Sequence, residues 1–178
     1  VNLIFTDGSG VTTRKTFNYV YLQSYDIVVD KNGSDSSGKP VFTSVRNAIN
    51  AAAPGQVVFV KNGDYNERVV VRNSGITVIG QDSQKTRVHY SVASKDVSGM
   101  TERNCMLIDS TATDFTLENM TVENSYPYTN QSNEQADALC VLADRAIFSN
   151  VRLVGYQDTL LTDSKSSSVI TRQYFYKC

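Results

Sequence analysis

The chain has 178 residues, with 17 lysines and arginines against 18 aspartates and glutamates, and a formal net charge of −1. This near-neutral balance gives no reason to expect nucleic acid or an anionic membrane as a partner, and no apolar run approaches the roughly 18 residues that a membrane span needs. Three widely spaced cysteines form neither a disulfide framework nor a zinc pattern, and their odd number leaves at least one thiol unpaired within the chain.

Residues 1–23 are predicted to form a separate hairpin. Apolar residues at 3–5 and 16–22 flank a turn-rich cluster at 6–10. The hairpin is either an extra edge element of the main domain or the last two strands of a preceding β-sandwich module. Residues 24–178 are assigned to the main domain.

One amphipathic helix is predicted, over residues 42–53. Its apolar positions follow the 3–4 spacing of a single helix face: Phe42, Val45, Ile49 and Ala52. Thr43 or Ser44 can cap its start, and Pro54-Gly55 ends it.

A series of short strands follows the helix. They are rich in β-branched residues and are separated by Asn and Gly corners. The predicted strands cover residues 57–60, 69–71, 76–79, 87–90, 105–108, 115–117, 120–122, 139–142, 146–148 and 151–154.

A degenerate repeat links these strands. Residues 117–124 align with residues 148–155, with Asn119 and Asn150 at equivalent places, and residues 176–178 begin a third copy. Repeats of strand, one-residue corner and strand predict a solenoid. We therefore expect an all-β fold, a right-handed parallel β-helix with the helix as an N-terminal cap, in which the two asparagines stack on one corner. A β-sandwich is the alternative.

Six motifs occur in a fixed order along the chain. They are DIVVDKNGS at 26–34, FTSVRNAINAA at 42–52, GDYNE at 63–67, QADAL at 135–139, GYQDTL at 155–160 and RQYFYKC at 172–178. Together they resemble the pectin methylesterases, the carbohydrate esterases that remove methyl esters from pectin. The GDYNE segment corresponds to a turn of that family.

The resemblance implies three catalytic residues. In the family the corresponding glutamines form an oxyanion hole and the Asp after the second glutamine is the general acid/base, so Gln135 and Gln157 would supply the hole and Asp158 would move the proton. The two glutamines are 22 positions apart, which suits neighbouring coils of a solenoid. Two residues depart from the family: Asp137 replaces its usual valine, and Cys140 stands where Arg or Tyr is common.

The family nucleophile is a second Asp, in a V-D-F-I-F-G element a few residues beyond the position of Cys178. We therefore expect this chain to be truncated on its C-terminal side, with the rest of the β-helix, the nucleophile and its orienting Arg missing. Cys178 would then keep a free thiol, and the 178 residues alone would be inactive.

The resemblance implies hydrolysis of pectin (polygalacturonate methyl ester) through an Asp nucleophile and an Asp acid/base. It implies no cofactor and no metal, and a secreted, cell-surface or periplasmic location. Tyr126, Tyr128 and Tyr156 are candidate sugar contacts. Two alternatives stay open: a catalytically inactive carbohydrate-binding β-helix, which the departures at 137 and 140 allow, and a relative that acts on acyl thioesters. A single histidine and the lack of a G-x-S-x-G element argue against a Ser-His-Asp hydrolase.

Overall fold

The computed structural model describes residues 2–6, 12–16, 24–127 and 133–178. Within them the chain forms one α-helix, α1 (Val45–Ala51), a short 3₁₀ turn and a succession of β-strands. In chain order the strands are β1 Asn2–Thr6, β2 Thr12–Thr16, β3 Ile27–Val29, β4 Val41–Phe42, β5 Val57–Val60, β6 Gly63–Asn66, β7 Val69–Val71, β8 Thr77–Gly80, β9 Thr86–Tyr90, β10 Asn104–Ile108, β11 Thr116–Glu118, β12 Thr121–Asn124, β13 Asp137–Val141, β14 Ala146–Ser149, β15 Arg152–Val154, β16 Leu160–Thr162 and β17 Gln173–Tyr176.

All strands from β3 onward belong to three parallel sheets. Sheet 1 has the order β17-β14-β11-β8-β5-β3-β4, sheet 2 the order β15-β12-β9-β6 and sheet 3 the order β16-β13-β10-β7. Strands β5, β6 and β7 form one coil, with one strand in each sheet, and the same succession recurs along the chain. This arrangement confirms the parallel β-helix. The β-sandwich alternative is wrong, because these strands pair in parallel rather than as hairpins.

The hydrophobic core lies inside the coils. Equivalent inward-facing positions stack on each other: Leu117 pairs with Phe148 across sheet 1, and both are fully buried. The ring of Phe148 in turn stacks on that of Phe175, with centroids 4.7 Å apart. A buried side chain of this size contributes roughly 1.5–3 kcal/mol, so each coil stabilises its neighbours.

The repeated asparagines form a ladder on one corner, here called the asparagine corner (Gly80, Asn119 and Asn150). Asn150 Nδ2 donates to Asn119 Oδ1 at 2.7 Å, and Asn119 Nδ2 donates to the Gly80 carbonyl at 2.8 Å. Both asparagines have left-handed backbones, with φ of 58° and 53°, a conformation that Asn adopts more readily than most residues. The predicted stacking of Asn119 on Asn150 is confirmed.

Helix α1 is shorter than predicted. It begins after Ser44, whose Oγ accepts a hydrogen bond from Asn47 N at 3.2 Å. The predicted start at residue 42 was wrong, because Phe42 lies in β4 and pairs with Val29. The face of the helix that packs on the coils is buried through Val45, Ala48 and Ile49. In the described residues no helix is long and apolar enough to cross a membrane.

Two side chains from the first coil hold the helix at both ends. Glu67 accepts at its N-terminus, from Ser44 Oγ (2.6 Å), Val45 N (2.7 Å) and Arg46 N (3.1 Å). Asn73 Nδ2 donates at the C-terminus, to the carbonyls of Ile49 (3.0 Å) and Ala52 (2.8 Å). Glu67 belongs to the motif predicted as a turn. That prediction was wrong, because residues 63–66 form β6 and pair with β9.

Strands β1 and β2 pair antiparallel, from Asn2 with Thr16 to Thr6 with Thr12. The predicted second strand at 16–22 overlaps β2 only at Thr16. Residues 7–11 and 17–23 lie outside the described residues. The assignment of residues 1–23 to a separate unit stays a prediction.

Candidate active site

The predicted site residues lie where neighbouring strands of sheet 3 begin. Gln135 precedes β13, and Gln157 and Asp158 precede β16. Arg103 directly precedes β10, the next strand of the same sheet. Because parallel neighbours start at the same edge of a sheet, side chains from three coils meet here although they are far apart in sequence.

Arg103 is the centre of the cluster. Its Nη1 donates to Gln135 Oε1 at 2.6 Å, and its Nη2 donates to Asp158 Oδ2 at 3.0 Å. Its Nε donates to Asp137 Oδ2 at 3.3 Å and lies 3.1 Å from Oδ1 of the same carboxylate. Only 7% of Arg103 is exposed. One buried cation therefore contacts two of the three predicted catalytic residues and the carboxylate that departs from the family pattern.

The contact with Arg103 defines the orientation of the Gln135 amide. A guanidinium has only N–H donors, so the amide must present its oxygen to it. The NH2 group of Gln135 then faces away from the cation. Gln135 is half-buried, and its two N–H donors are directed away from Arg103.

Asp137 is fully buried beside this cation. Burial raises the pKa of its carboxyl to about 6, and the charge of Asp158 reinforces the shift while Arg103 opposes it. Among the described residues no hydrogen bond reaches Asp137 Oδ1, since the nearby Nε donates to Oδ2. A buried carboxylate with one such oxygen is costly to keep ionised.

A buried asparagine fixes the backbone behind the cluster. Asn124 Nδ2 donates to the carbonyls of Arg103 and Asp137, each at 3.1 Å, and to that of Val92 at 2.8 Å. Its Oδ1 accepts from Tyr126 N at 3.2 Å. Asn124 is 3% exposed, so these bonds are shielded from water and hold the starts of β10 and β13 together.

The loop before β16 has a strained backbone. Gln157 and Asp158 have φ of 44° and 47°, and the left-handed region costs roughly 1–2 kcal/mol for a non-glycine residue. Gly155 lies so close to the previous coil that a Cβ there would be 2.7 Å from the Ala136 carbonyl oxygen. Strain of this kind persists where the surroundings impose it, and it is frequent at functional sites.

The two glutamines lie on neighbouring coils. Ala136 and Tyr156, the residues next to them, form an antiparallel bridge, with Ala136 N donating to Tyr156 O at 2.8 Å and Tyr156 N to Ala136 O at 3.1 Å. Gln157 is exposed, and the side chain of Asp158 is 52% exposed. Asp158 can therefore reach both solvent and the buried cation.

The candidate sugar contacts are less clearly placed. Tyr156 is half-buried beside Gln157. Tyr126 is half-buried too, and Lys95 Nζ lies 5.5 Å from its ring centroid. Tyr128 lies outside the described residues. A sugar-binding role for these tyrosines stays a prediction.

Arg103 was not predicted from the sequence. Asp137 was the available signal, since a carboxylate within the apolar run 136–142 needs a cation close by. The spacing of the chain could not identify that cation, because the two residues are 34 positions apart and belong to different coils.

The cluster can support acyl transfer. Asp158 offers an exposed carboxyl group for proton transfer, and the glutamines offer N–H donors for an oxyanion. Asp137 cannot attack a substrate from solvent, since it is buried. Cys105 and Cys140 are buried free thiols whose pKa is raised by burial to about 12, so neither is a thiolate at neutral pH. Cys178 is a free thiol as well, and it is exposed. Over residues 24–127 and 133–178 no three His, Cys, Asp or Glu side chains are grouped as metal ligands would be.

Comparison with known sequences identifies relatives over most of the chain. The sequence model of the family described as Pectinesterase matches residues 26–178. Pectinesterase A of Dickeya chrysanthemi is 32% identical over 157 residues, which cover 77% of this chain and 42% of that protein. The chain thus spans less than half the length of this relative.

Solved structures show the same fold. The pectin methylesterase PemA of Erwinia chrysanthemi gives a TM-score of 0.70 at 29% identity, covering 86% of this chain and 48% of that one. A pectin methylesterase in complex with hexasaccharide VII gives a TM-score of 0.66, also at 29% identity, covering 79% and 46%.

Proposed function

Because the chain belongs to the pectinesterase family, we propose that it forms part of a carboxylic ester hydrolase that removes methyl esters from pectin. The observation that carries the proposal is the joint placement of Gln135 and Asp158 on one guanidinium at the edge of sheet 3. An amide beside a carboxylate supplies a donor for an oxyanion and a group for proton transfer, which ester hydrolysis without a serine nucleophile needs.

In the first half-reaction a carboxylate attacks the carbonyl carbon of the methyl ester. We assign this nucleophile to an aspartate that follows Cys178 in the full-length protein. The carbonyl oxygen gains negative charge and accepts hydrogen bonds from the N–H groups of Gln135 and Gln157. Asp158, in its acid form, gives its proton to the departing methoxide oxygen. Methanol leaves, and an acyl group stays bound to the nucleophile.

In the second half-reaction water takes the place of methanol. Asp158, now a carboxylate, accepts a proton from a water molecule, whose oxygen attacks the acyl carbon. The bond to the nucleophile breaks and restores its carboxylate, the galacturonic acid product leaves and loses its proton to the solvent, and Asp158 is again protonated. No step calls for a cofactor or a metal ion.

The proposed partner is the polygalacturonate chain of pectin. Support comes from the related pectin methylesterase that was solved with a hexasaccharide. Tyr156 and Tyr126 are the proposed contacts to sugar rings. Because pectin is an extracellular polymer, we place the protein outside the cytoplasm: secreted, at the cell surface or in the periplasm.

The proposal is tested with Asp158→Asn in the full-length protein. Release of methanol from methylated pectin should fall at least ~100-fold, the usual scale for a general acid, and the unfolding midpoint should change little because the side chain is half exposed. Asp163→Asn is the matched control, since Asp163 is exposed at the opposite end of β16. Parent-like turnover by Asp158→Asn would remove Asp158 from the mechanism.

Further measurements separate the alternatives. A full-length protein that binds polygalacturonate without releasing methanol would be a carbohydrate-binding β-helix, and one that cleaves acyl thioesters instead would be the thioesterase-like relative. The 178-residue chain by itself should release no methanol, because the proposed nucleophile lies outside it. Methanol release by this chain at an ordinary enzymatic rate would overturn that assignment.

A further inference from the structure

We propose that Arg103 is a positioning residue for the ester hydrolysis proposed above, and that Asp137 is its buried counter-ion. The proposal rests on the proposed function, and it adds a residue pair that orients the oxyanion donor and the proton-transfer group together.

The guanidinium divides its nitrogens among three side chains. Nη1 bonds Gln135, Nη2 bonds Asp158 and Nε bonds Asp137. A planar group with donors at fixed angles sets the relative positions of its partners, which a lysine ammonium cannot do. Gln135 and Asp158 come from different coils, so this cation is a direct side-chain link between them.

The consequence for Gln135 is chemical as well as geometric. An uncharged amide can turn by half a rotation and exchange its oxygen with its NH2 group. Next to a group that only donates, the flipped amide would bring N–H against N–H, so the flipped state is disfavoured. Arg103 therefore keeps the N–H donors of Gln135 on the side away from itself, where an oxyanion can receive them.

Asp137 explains how such a cation can stay buried. Arg103 is 7% exposed and Asp137 is fully buried, and a buried charge needs an opposite charge at close range. Asp158 alone is a poor counter-ion, because half of its side chain faces solvent and its role requires it to gain and lose a proton. The valine usual in the family at position 137 could not serve, so the aspartate there is matched to Arg103.

The decisive experiment compares stability with turnover in four full-length proteins: the parent, Arg103→Met, Asp137→Val and the double variant Arg103→Met/Asp137→Val. Arg103→Met should lower the unfolding midpoint because Asp137 loses its partner. The double variant removes both charges and keeps an apolar stem of similar length, so its midpoint should return close to that of the parent. Its kcat should stay about 10- to 100-fold below the parent's, the range typical of groups that orient a functional residue, with little change in KM.

A parent-like kcat in the double variant would show that the pair is structural only, and would overturn the proposal. Should the double variant fail to fold, Arg103→Lys decides the question. Lysine keeps the charge beside Asp137 but lacks the planar fork that holds Gln135 and Asp158 at fixed angles, so this variant should fold and lose about tenfold or more in kcat. Full activity in Arg103→Lys would equally refute positioning.

A crystal structure of Arg103→Lys adds a readout that does not depend on turnover. The side chains of Gln135 and Asp158 should leave their common geometry, and their unchanged positions would contradict the proposal. A parent protein that releases no methanol would contradict the proposed function, but the crystallographic test of Arg103→Lys would still apply. The two failures are therefore distinguishable.

Discussion

The asparagine corner and the loop before β16 both place non-glycine residues in the left-handed backbone region, and they differ in what the side chains do. At the corner, the side chains of Asn119 and Asn150 bond to each other and to the coil below. In the loop, Gln157 and Asp158 are adjacent, exposed and outside the repeat. At the corner the left-handed conformation recurs from coil to coil and is accompanied by side-chain hydrogen bonds. In the loop before β16 it lies outside the repeat and is strained.

This difference separates left-handed residues that build the solenoid from those that belong to the candidate active site. A left-handed residue that recurs once per coil is part of the solenoid, because its side chain replaces hydrogen bonds that the corner breaks. A left-handed pair that interrupts the recurrence has to be held by other contacts, here the close approach at Gly155 and the bond from Arg103 to Asp158. The following variants test that distinction.

The largest effect is expected in the pH dependence of stability, at Asp137, which shares Arg103 with Asp158 of the loop. The pKa of Asp137 is about 6 in the folded protein, above its ordinary 3.8, so the folded state holds a proton that the unfolded state has released. Stability should therefore fall as pH rises from about 4 to about 6, by up to about 1.4 kcal/mol per pH unit. Denaturant unfolding of Asp137→Asn should lack this contribution, whereas Asn150→Ala, at the corner, should keep it.

The quantity compared is the difference in unfolding free energy between the parent and Asp137→Asn at each pH. Carboxyls whose pKa is lowered, such as Asp35 at about 2, give stability that is lost as pH falls, and they cancel in that difference. Parallel curves for the parent and Asp137→Asn between pH 4 and pH 7 would mean that Arg103 offsets the burial of Asp137 completely.

Two glycines sharpen the comparison by steric means. A Cβ at Gly80 would lie 2.3 Å from the Asn119 carbonyl oxygen, and one at Gly155 would lie 2.7 Å from that of Ala136. Each change to alanine should cost about 1–3 kcal/mol. Gly80→Ala should leave the turnover of the folded protein intact, while Gly155→Ala should lower it because the loop carries Asp158. Gly99→Ala is the control, since its Cβ would meet only Glu102 side-chain atoms at 3.7 Å or more. Equal loss of turnover in Gly80→Ala and Gly155→Ala would contradict the proposed difference between the two regions.

The smallest expected effect is on the free energy of unfolding, and it should have opposite signs in the two regions. Gln157→Gly relieves a left-handed backbone and removes an exposed side chain, so the protein should gain about 0.5–1 kcal/mol while turnover falls. Asn150→Gly relieves the same conformation by less, because asparagine tolerates it better than glutamine, and it removes the bond to Asn119, so a net loss of roughly 0.5 kcal/mol should result. Unfolding curves of both variants measure these changes in stability. A gain in stability in both would mean that the hydrogen bond between Asn150 and Asn119 adds little.

Much of the fold could be predicted because the solenoid repeats itself. Strands β5 and β7 have the predicted bounds, and the equivalence of Asn119 and Asn150 was readable from local pattern. Errors arose where distant partners decide the structure. Residues 63–66 form a strand because β9 lies beside them, and residue 42 leaves the helix because β3 pairs with it.

The site was predictable only in part. Gln135, Gln157 and Asp158 came from the resemblance to a family, and the structure brings two of them onto one cation. That cation could not be found from spacing, since its bonds to Gln135 and Asp158 join residues 32 and 55 positions apart. The protonation behaviour of Asp137 depends on complete burial, which a sequence shows only as a charge among apolar neighbours.

The capping of α1 has a consequence for the order in which the chain acquires structure. Seven residues are too few for a stable helix in water, and the bonds that hold both ends come from Glu67 and Asn73, which are synthesised later. On the ribosome the helix must therefore wait until the whole first coil has emerged. The cap that shields the N-terminal end of the solenoid is thus completed after the first coil it covers. A nascent chain arrested before Asn73 should therefore expose the apolar residues at that end to chaperones.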